Sequence, residues 1–299
     1  MVTTQSFTSV TLQLGNVSFE LKEAHSFDWI YKYGHAFCVF DEQDSGNIAF
    51  GVEQKGRKRF IKYAGARTKE YMGEPEAAIE RLKAAIPLYT ELKHPNLIEL
   101  VEHFDVQGGG YAGVFEWFEG ECLHSHWSFP PPAKYHDPRS PFYRHRHLSM
   151  QQRLNSLDVI FSFHEHVEAQ GYVAVDFYDG SILYDFITNR TKICDIDFYR
   201  RSPAINDIGE QFWGAMRSKS PEEYELGALI DSRTNVYNLG AIAFGLLGGE
   251  RNHALERWEA GQVLYEIALQ AVQQDREQRF PSIAAFKSAW DEARGQTIS

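Results

Sequence analysis

Apolar and polar positions alternate through much of the first 120 residues, which predicts a strand-rich region. Residues 10–14 and 17–21 alternate on either side of Gly15-Asn16, a pair typical of a tight hairpin. Turn residues separate the other alternating runs, which predict strands at 36–41, 47–53, 59–64, 97–104 and 111–117.

Helical spacing of apolar residues appears first between these strands and then dominates the rest of the chain. Residues 77–85 predict a helix with Pro75 in its first turn, and Pro87 is expected to kink or end it. The later apolar stretches predict helices at 154–167, 236–247 and 264–272, and short strands at 181–184 and 192–196. The pattern therefore predicts an α+β protein in two lobes, a strand-rich N-terminal lobe at 1–118 and a helix-rich C-terminal lobe at 119–299.

Composition excludes several classes of protein. The 299 residues include 30 Lys and Arg against 41 Asp and Glu, so the formal net charge is 30 − 41 = −11. Because contacts to phosphate backbones need a basic surface, a general nucleic-acid binder is not expected. Three cysteines, no signal-peptide pattern and no apolar run of about 18 residues favour a cytoplasmic protein with no membrane partner.

One segment, residues 128–148, has no apolar period and is rich in Pro and His. Residues 134–153, which overlap it, carry five Lys or Arg and one Asp, a locally basic stretch in an acidic chain. Two interpretations are open: an ordered surface loop, or a docking surface for an anionic substrate.

Three His-x-His pairs raise the possibility of a structural zinc site. They are His124/His126, His145/His147 and His164/His166. No cysteine pair accompanies them, and helical spacing makes the side chains of His164 and His166 diverge. We therefore favour a core role for His164 over a metal site.

Phosphoryl transfer needs a lysine for the nucleotide phosphates, a carboxylate for the acceptor hydroxyl and a second carboxylate for magnesium. Residues 173–197, VAVDFYDGSILYDFITNRTKICDID, carry two such carboxylates on either side of two predicted strands. This stretch resembles the catalytic loop and magnesium-binding segment of the protein kinase family. In that resemblance Asp176 is the catalytic aspartate, Ser181 replaces the magnesium-binding asparagine, and Asp195 begins the segment similar to D-F-G.

The resemblance implies that Asp195 and Ser181 bind Mg²⁺. Asp197 is a further candidate ligand, because a strand through this segment would turn Asp195 and Asp197 to the same side.

Other segments resemble the family in the same order along the chain. Phe60-Ile61-Lys62 is similar to the strand V-A-I-K, which implies that Lys62 holds the ATP phosphates. Residues 34–39 resemble an incomplete glycine-rich loop in which Gly34 and Val39 match the family pattern. Residues 115–118 resemble the hinge, which implies that Phe115 is the gatekeeper and that the backbone groups of Glu116 and Phe118 contact adenine.

The partner of Lys62 is ambiguous in the sequence. Counting forward from Lys62 by family spacing reaches Glu80, whereas counting back from His94-Pro95-Asn96 reaches Ala85, which has no carboxylate. An insertion after the helix, indicated by Pro87, favours Glu80.

Towards the C-terminus, Ser220-Pro221-Glu222 resembles the A-P-E that closes the activation segment, and Asp275–Pro281 resembles the D-P-x-x-R-P near the family's end. The resemblance implies that Arg279 pairs with Glu222. Besides Ser181, four positions depart from the family. Ala174-Val175 replace His-Arg before the catalytic aspartate, Tyr178 stands where serine/threonine kinases have lysine, and Asn235 replaces the aspartate of D-V-W.

The resemblance covers most of the chain and implies a protein-kinase-like fold and an ATP- and Mg²⁺-dependent phosphotransferase acting on protein Ser or Thr hydroxyls. Two alternatives remain open: a kinase of the same fold with a small-molecule or polymer acceptor, and a pseudokinase that binds nucleotide or a partner without transfer.

Overall fold

The structure is a computed structural model that describes residues 9–124 and 127–297. It is a mixed α+β protein with a strand-rich N-terminal region and a helix-rich C-terminal region, as predicted. Its contacts divide the chain into two units. The first contains the described residues up to Lys93 together with Ile98–Phe118, and the second contains His94–Leu97 and the chain from Glu119 onwards.

The first unit begins with the predicted hairpin, formed by β1 (Val10–Leu14) and β2 (Val17–Leu21). A five-stranded antiparallel sheet follows, with strand order β3-β4-β5-β7-β6. Side chains from its central strands form the core, since Phe50, Ile61 and Val114 are completely buried. The strands are β3 (His35–Phe40), β4 (Asn47–Gln54), β5 (Arg57–Ala64), β6 (Leu100–Asp105) and β7 (Tyr111–Glu116).

The helix of this unit, α1 (Pro75–Glu91), starts with Pro75 in its first turn as predicted. Pro87, expected to kink or end the helix, does not end it, because the helix continues through Pro87 to Glu91. Pro87 is exposed, while Ala85, Ile86, Leu88 and Tyr89 around it are buried. Burial of these apolar neighbours offsets the backbone hydrogen bond that proline cannot donate.

The second unit is built around four long helices. The prediction of three of them, α4, α5 and α6, is confirmed, and the polar residue Ser149 caps α4 as Asp231 caps α5. Their apolar faces meet α7 in a core that includes Phe161, Phe286 and Trp290. Among the residues that the structure describes, the α-helices of this unit are α2 (Ala133–His136), α3 (Pro141–Arg146), α4 (Met150–Ala169), α5 (Ser232–Leu247), α6 (Gln262–Ala271) and α7 (Ile283–Thr297).

Short strands connect these helices. They form a three-stranded sheet in the order β11-β10-β8 and two two-stranded ladders, β9 with β12 and β13 with β14. None of the helices within 9–124 and 127–297 is long and apolar enough to span a membrane. The strands are β8 (Glu121–Cys122), β9 (Tyr172–Val173), β10 (Ile182–Asp185), β11 (Arg190–Ile193), β12 (Arg200–Arg201), β13 (Ala204–Ile205) and β14 (Leu229–Ile230).

Candidate functional site

The loop after β9 presents Asp176 in an unusual backbone conformation. Asp176 has φ 63°, in the left-handed region that side chains with a Cβ rarely adopt, and Asp195 has φ 55°. Lys55, Asn189 and Glu250 share this conformation. Lys55 and Asn189 lie in the hairpin turns β4–β5 and β10–β11, and Glu250 lies in the tight turn between the bridged residues Gly249 and Asn252, where this conformation is common. Strained residues outside such turns concentrate at functional sites, so the two aspartates stand out within the second unit.

Asn235 on α5 holds the loop immediately before Asp176. Its Oδ1 accepts a hydrogen bond from the Ala174 amide at 2.7 Å, and its Nδ2 donates to the Ala174 carbonyl at 2.7 Å and to Asn238 Oδ1 at 3.1 Å. An aspartate has no donor for these two oxygens. In this loop, which lacks His-Arg, an asparagine at 235 can therefore make all three hydrogen bonds, whereas an aspartate could not.

Backbone hydrogen bonding brings Ser181 next to the Asp195 segment. The Cys194 amide donates to the Ser181 carbonyl at 2.9 Å, and Asp195 follows directly and is exposed. Ser181 is 1% exposed, and its Oγ has no hydrogen-bond partner within residues 9–124 and 127–297. A buried hydroxyl without a partner costs stability, which makes it a candidate ligand position.

The strand argument for Asp197 does not hold. β11 ends at Ile193, and the left-handed backbone of Asp195 interrupts the two-residue alternation on which that argument depends. Asp197 is half-buried and lies in a turn in which the Tyr199 amide donates to the Ile196 carbonyl at 3.1 Å. Asp195 alone thus directly follows the strand.

His164 lies beneath the loop in the core, as the sequence indicated. It is fully buried; its Nδ1 donates to the Ile160 carbonyl at 2.7 Å, and its Nε2 accepts from the Tyr199 hydroxyl at 2.8 Å. Burial lowers the pKa of His164 to about 4, so the ring is neutral at pH 7. Its ring also contacts Phe177, the residue after Asp176, with centroids 4.1 Å apart.

A buried ionic network holds the other half of the loop. Asp179, 3% exposed, accepts from Lys134 Nζ at 2.7 Å and from Arg217 Nε at 3.0 Å. Lys134, 1% exposed, also pairs with Glu250 at 2.7 Å, and Tyr135 donates to the same carboxylate at 2.7 Å. Burial alone would raise the pKa of Asp179, but the charges of Lys134 and Arg217 lower it, so the carboxylate is ionised.

The basic residues of 134–153 are occupied by nearby carboxylates. Besides Lys134, Arg139 pairs with Asp137, Arg144 with Glu121, and Arg146 and Arg153 with Glu259. The segment is an ordered part of the second unit, with Ser140, Phe142 and His145 buried. These ion pairs remove the charge argument for an anionic docking surface.

The predicted pair between Arg279 and Glu222 is confirmed. Arg279 donates from Nη1 to Oε1 at 2.7 Å and from Nη2 to Oε2 at 3.1 Å, a bidentate contact in which both side chains are buried. Burial acts to raise the pKa of Glu222, and the hydrogen bonds and charge of Arg279 lower it overall. Thr234 Oγ1 on α5 donates to the same carboxylate at 2.9 Å.

In the first unit, Lys62 lies on β5 opposite Ala49 and Gly113 and is largely buried. Gly34 precedes β3 with φ 121°, and a Cβ there would lie 2.1 Å from the Glu53 carbonyl oxygen, so glycine is required by close backbone approach. Val39 lies within β3 opposite Phe50. Residues 34–39 therefore do not form a loop between two strands, as the resemblance had implied.

The turn that does join β3 and β4 spans residues 41–46, DEQDSG. It carries Asp41, Glu42 and Asp44 and a single glycine, Gly46. Three carboxylates make this turn a poor binding surface for phosphates, which favour backbone amides and positive charge.

The structure does not pair Glu80 with Lys62. Along α1, Ala78, Leu82, Ala85 and Tyr89 form the buried face, and Glu80 points away from it and is exposed. Glu80 makes no hydrogen bond or ion pair within the part of the chain that is described. Ala85, the residue reached by counting back from Pro95, does lie on the buried face.

The three hinge candidates lie at and after the end of β7. Phe115 is buried against Tyr89, with ring centroids 4.9 Å apart. The Glu116 carboxylate pairs with Arg57 at 3.0 Å and with Arg59, and its amide donates to the Glu99 carbonyl. Phe118 is the last residue of the first unit.

The zinc hypothesis gains no support. Among the described residues no group of three or more His, Cys, Asp or Glu side chains is arranged to hold a metal ion. His145 is buried and bonded to Ser156, whereas His147 is exposed and bonded to the Tyr143 carbonyl. His126 lies outside the described residues.

Sequence reasoning missed the ionic network around Asp179. Its members Lys134, Arg217 and Glu250 are more than 30 residues apart along the chain, and no spacing connects them. A weak signal existed, namely a lysine within an apolar and proline-rich segment.

A scan against models of known protein families matches none of them, and a search among curated proteins finds no match.

Proposed function

We propose that this protein is a divergent phosphotransferase of the protein kinase superfamily, which uses ATP and Mg²⁺ to phosphorylate hydroxyl groups of proteins. The observation that carries the proposal is the loop cluster of the second unit, where Asp176 and Asp195 both have left-handed backbones and Ser181 bonds to the Asp195 segment. Asn235 and the pair Glu222–Arg279 support it, since they occupy the places that the resemblance assigns to them.

The candidate metal ligands suit magnesium. Asp195, Ser181 and Asp197 offer only oxygen atoms, which Mg²⁺ prefers, and Ser181 Oγ is buried without a partner in the described part of the chain. Asp195 and Ser181 would hold the ion, and the strand argument that added Asp197 to them no longer applies. Bound Mg²⁺ would neutralise charge on the ATP phosphates.

Asp176 orients the acceptor hydroxyl and takes its proton as the oxygen attacks the terminal phosphorus. Lys62 holds the phosphates, and Phe115 with the backbone of Glu116 and Phe118 contacts adenine. Because catalysis of this kind is mostly positioning, the fixed backbone before Asp176 contributes directly to the rate.

The test measures transfer from labelled ATP with Mg²⁺ to dephosphorylated casein, to histones and to the protein itself. Asp176→Asn should lower the rate by about 100-fold or more, because it removes the base. Asp291→Asn, at an exposed residue of α7, is the matched control and should keep the parent rate. Equal rates for Asp176→Asn and an active parent would contradict the role of Asp176.

A second candidate function is nucleotide binding without transfer. The acidic turn at 41–46 and the exposed Glu80 favour it, because both weaken the precise positioning of the phosphates that transfer requires. Under saturating Mg²⁺, binding of a non-hydrolysable ATP analogue together with undetectable transfer by the parent would support this alternative. The small-molecule or polymer alternative rested on the basic stretch 134–153 and on Tyr178 at the position of the kinase lysine. The ion pairs of that stretch do not favour it.

A further inference from the structure

Two exposed phenylalanines of β3 lie on the same face of the five-stranded sheet as Lys62. Directly paired residues of neighbouring antiparallel strands point to the same side of a sheet. Phe40 pairs with Ala49, and Ala49 pairs with Lys62. Phe40 is 43% exposed, and its ring centroid lies 5.9 Å from that of Phe60 on β5. Phe40 and Lys62 are therefore two strands apart on one face, with the small side chain of Ala49 between them.

A β-bulge turns the second phenylalanine, Phe37, onto this face. The register of β3 against β4 shifts here, which makes Phe37 the extra residue of the bulge. Its ring lies over Gly51, since a Cβ at that position would be 2.7 Å from Cζ of Phe37. Gly51 pairs with Phe60, so the ring of Phe37 lies on the side of Phe60. Phe37 nevertheless remains 38% exposed.

Further rings extend this row across the sheet. Phe115 on β7 pairs with Phe60, and their ring centroids are 6.1 Å apart. Directly after β7, the ring of Trp117 meets Phe37 edge-on, with centroids 4.9 Å apart. We refer to the five residues together as the aromatic face: Phe37, Phe40, Phe60, Phe115 and Trp117.

Two ammonium groups lie on the same side of the sheet. Lys58, Phe60 and Lys62 alternate along β5, so their side chains share one face. Nζ of Lys58 is 5.4 Å from the ring centroid of Phe37, a cation–π contact. Exposed rings beside ammonium groups favour a ligand that is both aromatic and anionic, and a purine nucleotide is such a ligand.

The acidic turn after β3 determines which part of a nucleotide fits against Phe37 and Phe40. Residues 41–46 follow Phe40 directly and carry three carboxylates, which repel phosphates. Lys62, the candidate partner of the phosphates, lies two strands away from Phe40. The base is therefore the part that fits against the two phenylalanines.

We propose that Phe37 and Phe40 stack against the adenine base of the bound nucleotide and supply a large part of its affinity. This role rests on the proposed function and adds two side chains of β3 to its nucleotide site. Its basis is the placement of two exposed rings on the face that carries Lys62 and Phe115.

The test is the double variant Phe37→Leu/Phe40→Leu, which keeps apolar bulk and removes both rings. Equilibrium dialysis with labelled adenosine and with labelled ATP, both at saturating Mg²⁺, measures the two Kd values. Both should rise by about tenfold or more, the effect of losing an aromatic ring that stacks on a base. The ratio of the two Kd values should change by less than about twofold, because the two rings contact the base and not the phosphates.

Two further variants are the controls. Phe37→Tyr/Phe40→Tyr retains both rings and should keep the Kd values of the parent within about threefold. Tyr31→Leu removes a ring that is 46% exposed in the segment before β3, outside the sheet, and should leave both Kd values unchanged.

The outcomes separate the two proposals. A parent that binds both ligands, with unchanged Kd values for the leucine variant, overturns the role of Phe37 and Phe40 and leaves the proposed function standing. A leucine variant that binds adenosine normally and ATP weakly also contradicts this role, since the contact would then be to the phosphates. A parent that binds neither ligand overturns the proposed function and with it this inference.

Discussion

Buried polar side chains determine the shape of the loop that carries Asp176. Asn235 satisfies both the amide and the carbonyl of Ala174, and Asp179 is held by two cations. Each of these groups would destabilise the fold if its partner were removed, because a buried polar atom without a partner loses its hydration and gains nothing. At the scale of single residues, the loop therefore depends on donors and acceptors being matched in number.

Asn235→Asp should destabilise the second unit. The new carboxylate oxygen would face the Ala174 carbonyl and Asn238 Oδ1 with no proton to donate. We expect a loss of about 2 kcal/mol in the free energy of unfolding, measured by urea denaturation at pH 7. The control is Asn155→Asp, at an exposed asparagine whose Oδ1 accepts hydrogen bonds from Gln151 and Arg294. Its free energy of unfolding should stay within about 0.5 kcal/mol of that of the parent. Equal stabilities for the two variants would contradict the argument.

Glu223 should make stability fall as pH rises. It is 3% exposed, and burial raises its pKa to about 7 from an ordinary value of 4.5, despite hydrogen bonds from Ser220 and Asn238. The folded state favours the protonated acid, so the penalty is absent below about pH 4.5, grows between 4.5 and 7, and is complete above 7.

Glu223→Gln removes this penalty. Its free energy of unfolding relative to the parent should rise by up to about 3 kcal/mol between pH 4.5 and pH 8, measured by urea denaturation at several pH values. A difference between variant and parent that does not vary with pH would exclude this role of Glu223.

The orientation of each helix is determined by the apolar residues that it buries and not by the sequence motif that it contains. In α1 the buried residues Ala78, Leu82 and Ala85 define the inner face, and this orientation places Glu80 outside. The segment 128–148 behaves similarly: Lys134 in α2 and Phe142 in α3 are buried, so a stretch that looks basic in sequence is anchored inside the second unit.

Lys134→Met tests that anchor. Removal of the ammonium group leaves Asp179 with Arg217 alone and leaves Glu250 with the Tyr135 hydroxyl as its hydrogen-bond donor. The free energy of unfolding should fall by about 3 kcal/mol, the usual cost of breaking a buried ion pair. Arg139→Met, which removes an exposed partner of Asp137, is the control and should change it by less than about 0.5 kcal/mol. If both variants are equally stable, the network does not anchor the segment.

At the scale of the whole molecule, the net charge of −11 does not indicate which basic residues are paired with carboxylates. The basic residues near 134–153 are neutralised by carboxylates from 121, 137, 179, 250 and 259, most of them distant in sequence. Of the candidate groups, Lys62 lies in the first unit, and Asp176, Ser181 and Asp195 lie in the second.

The amino-acid sequence determined the local elements. Alternation predicted the hairpin 10–21, helical spacing predicted α4 and α5, and the resemblance of two segments to family motifs implied the pair Arg279–Glu222. These features follow from periods of two and 3.6 residues and from matched polar groups, which a linear pattern records directly.

Only the tertiary structure decided which faces are inside. In the structure α1 continues through Pro87 and Glu80 lies on its exposed side. Strand β11 ends before Asp195, and residues distant in sequence form the network around Asp179. Burial and long-range ion pairing depend on contacts between residues far apart in the chain. Their free energies outweigh local propensities, which is why no local pattern could foretell them.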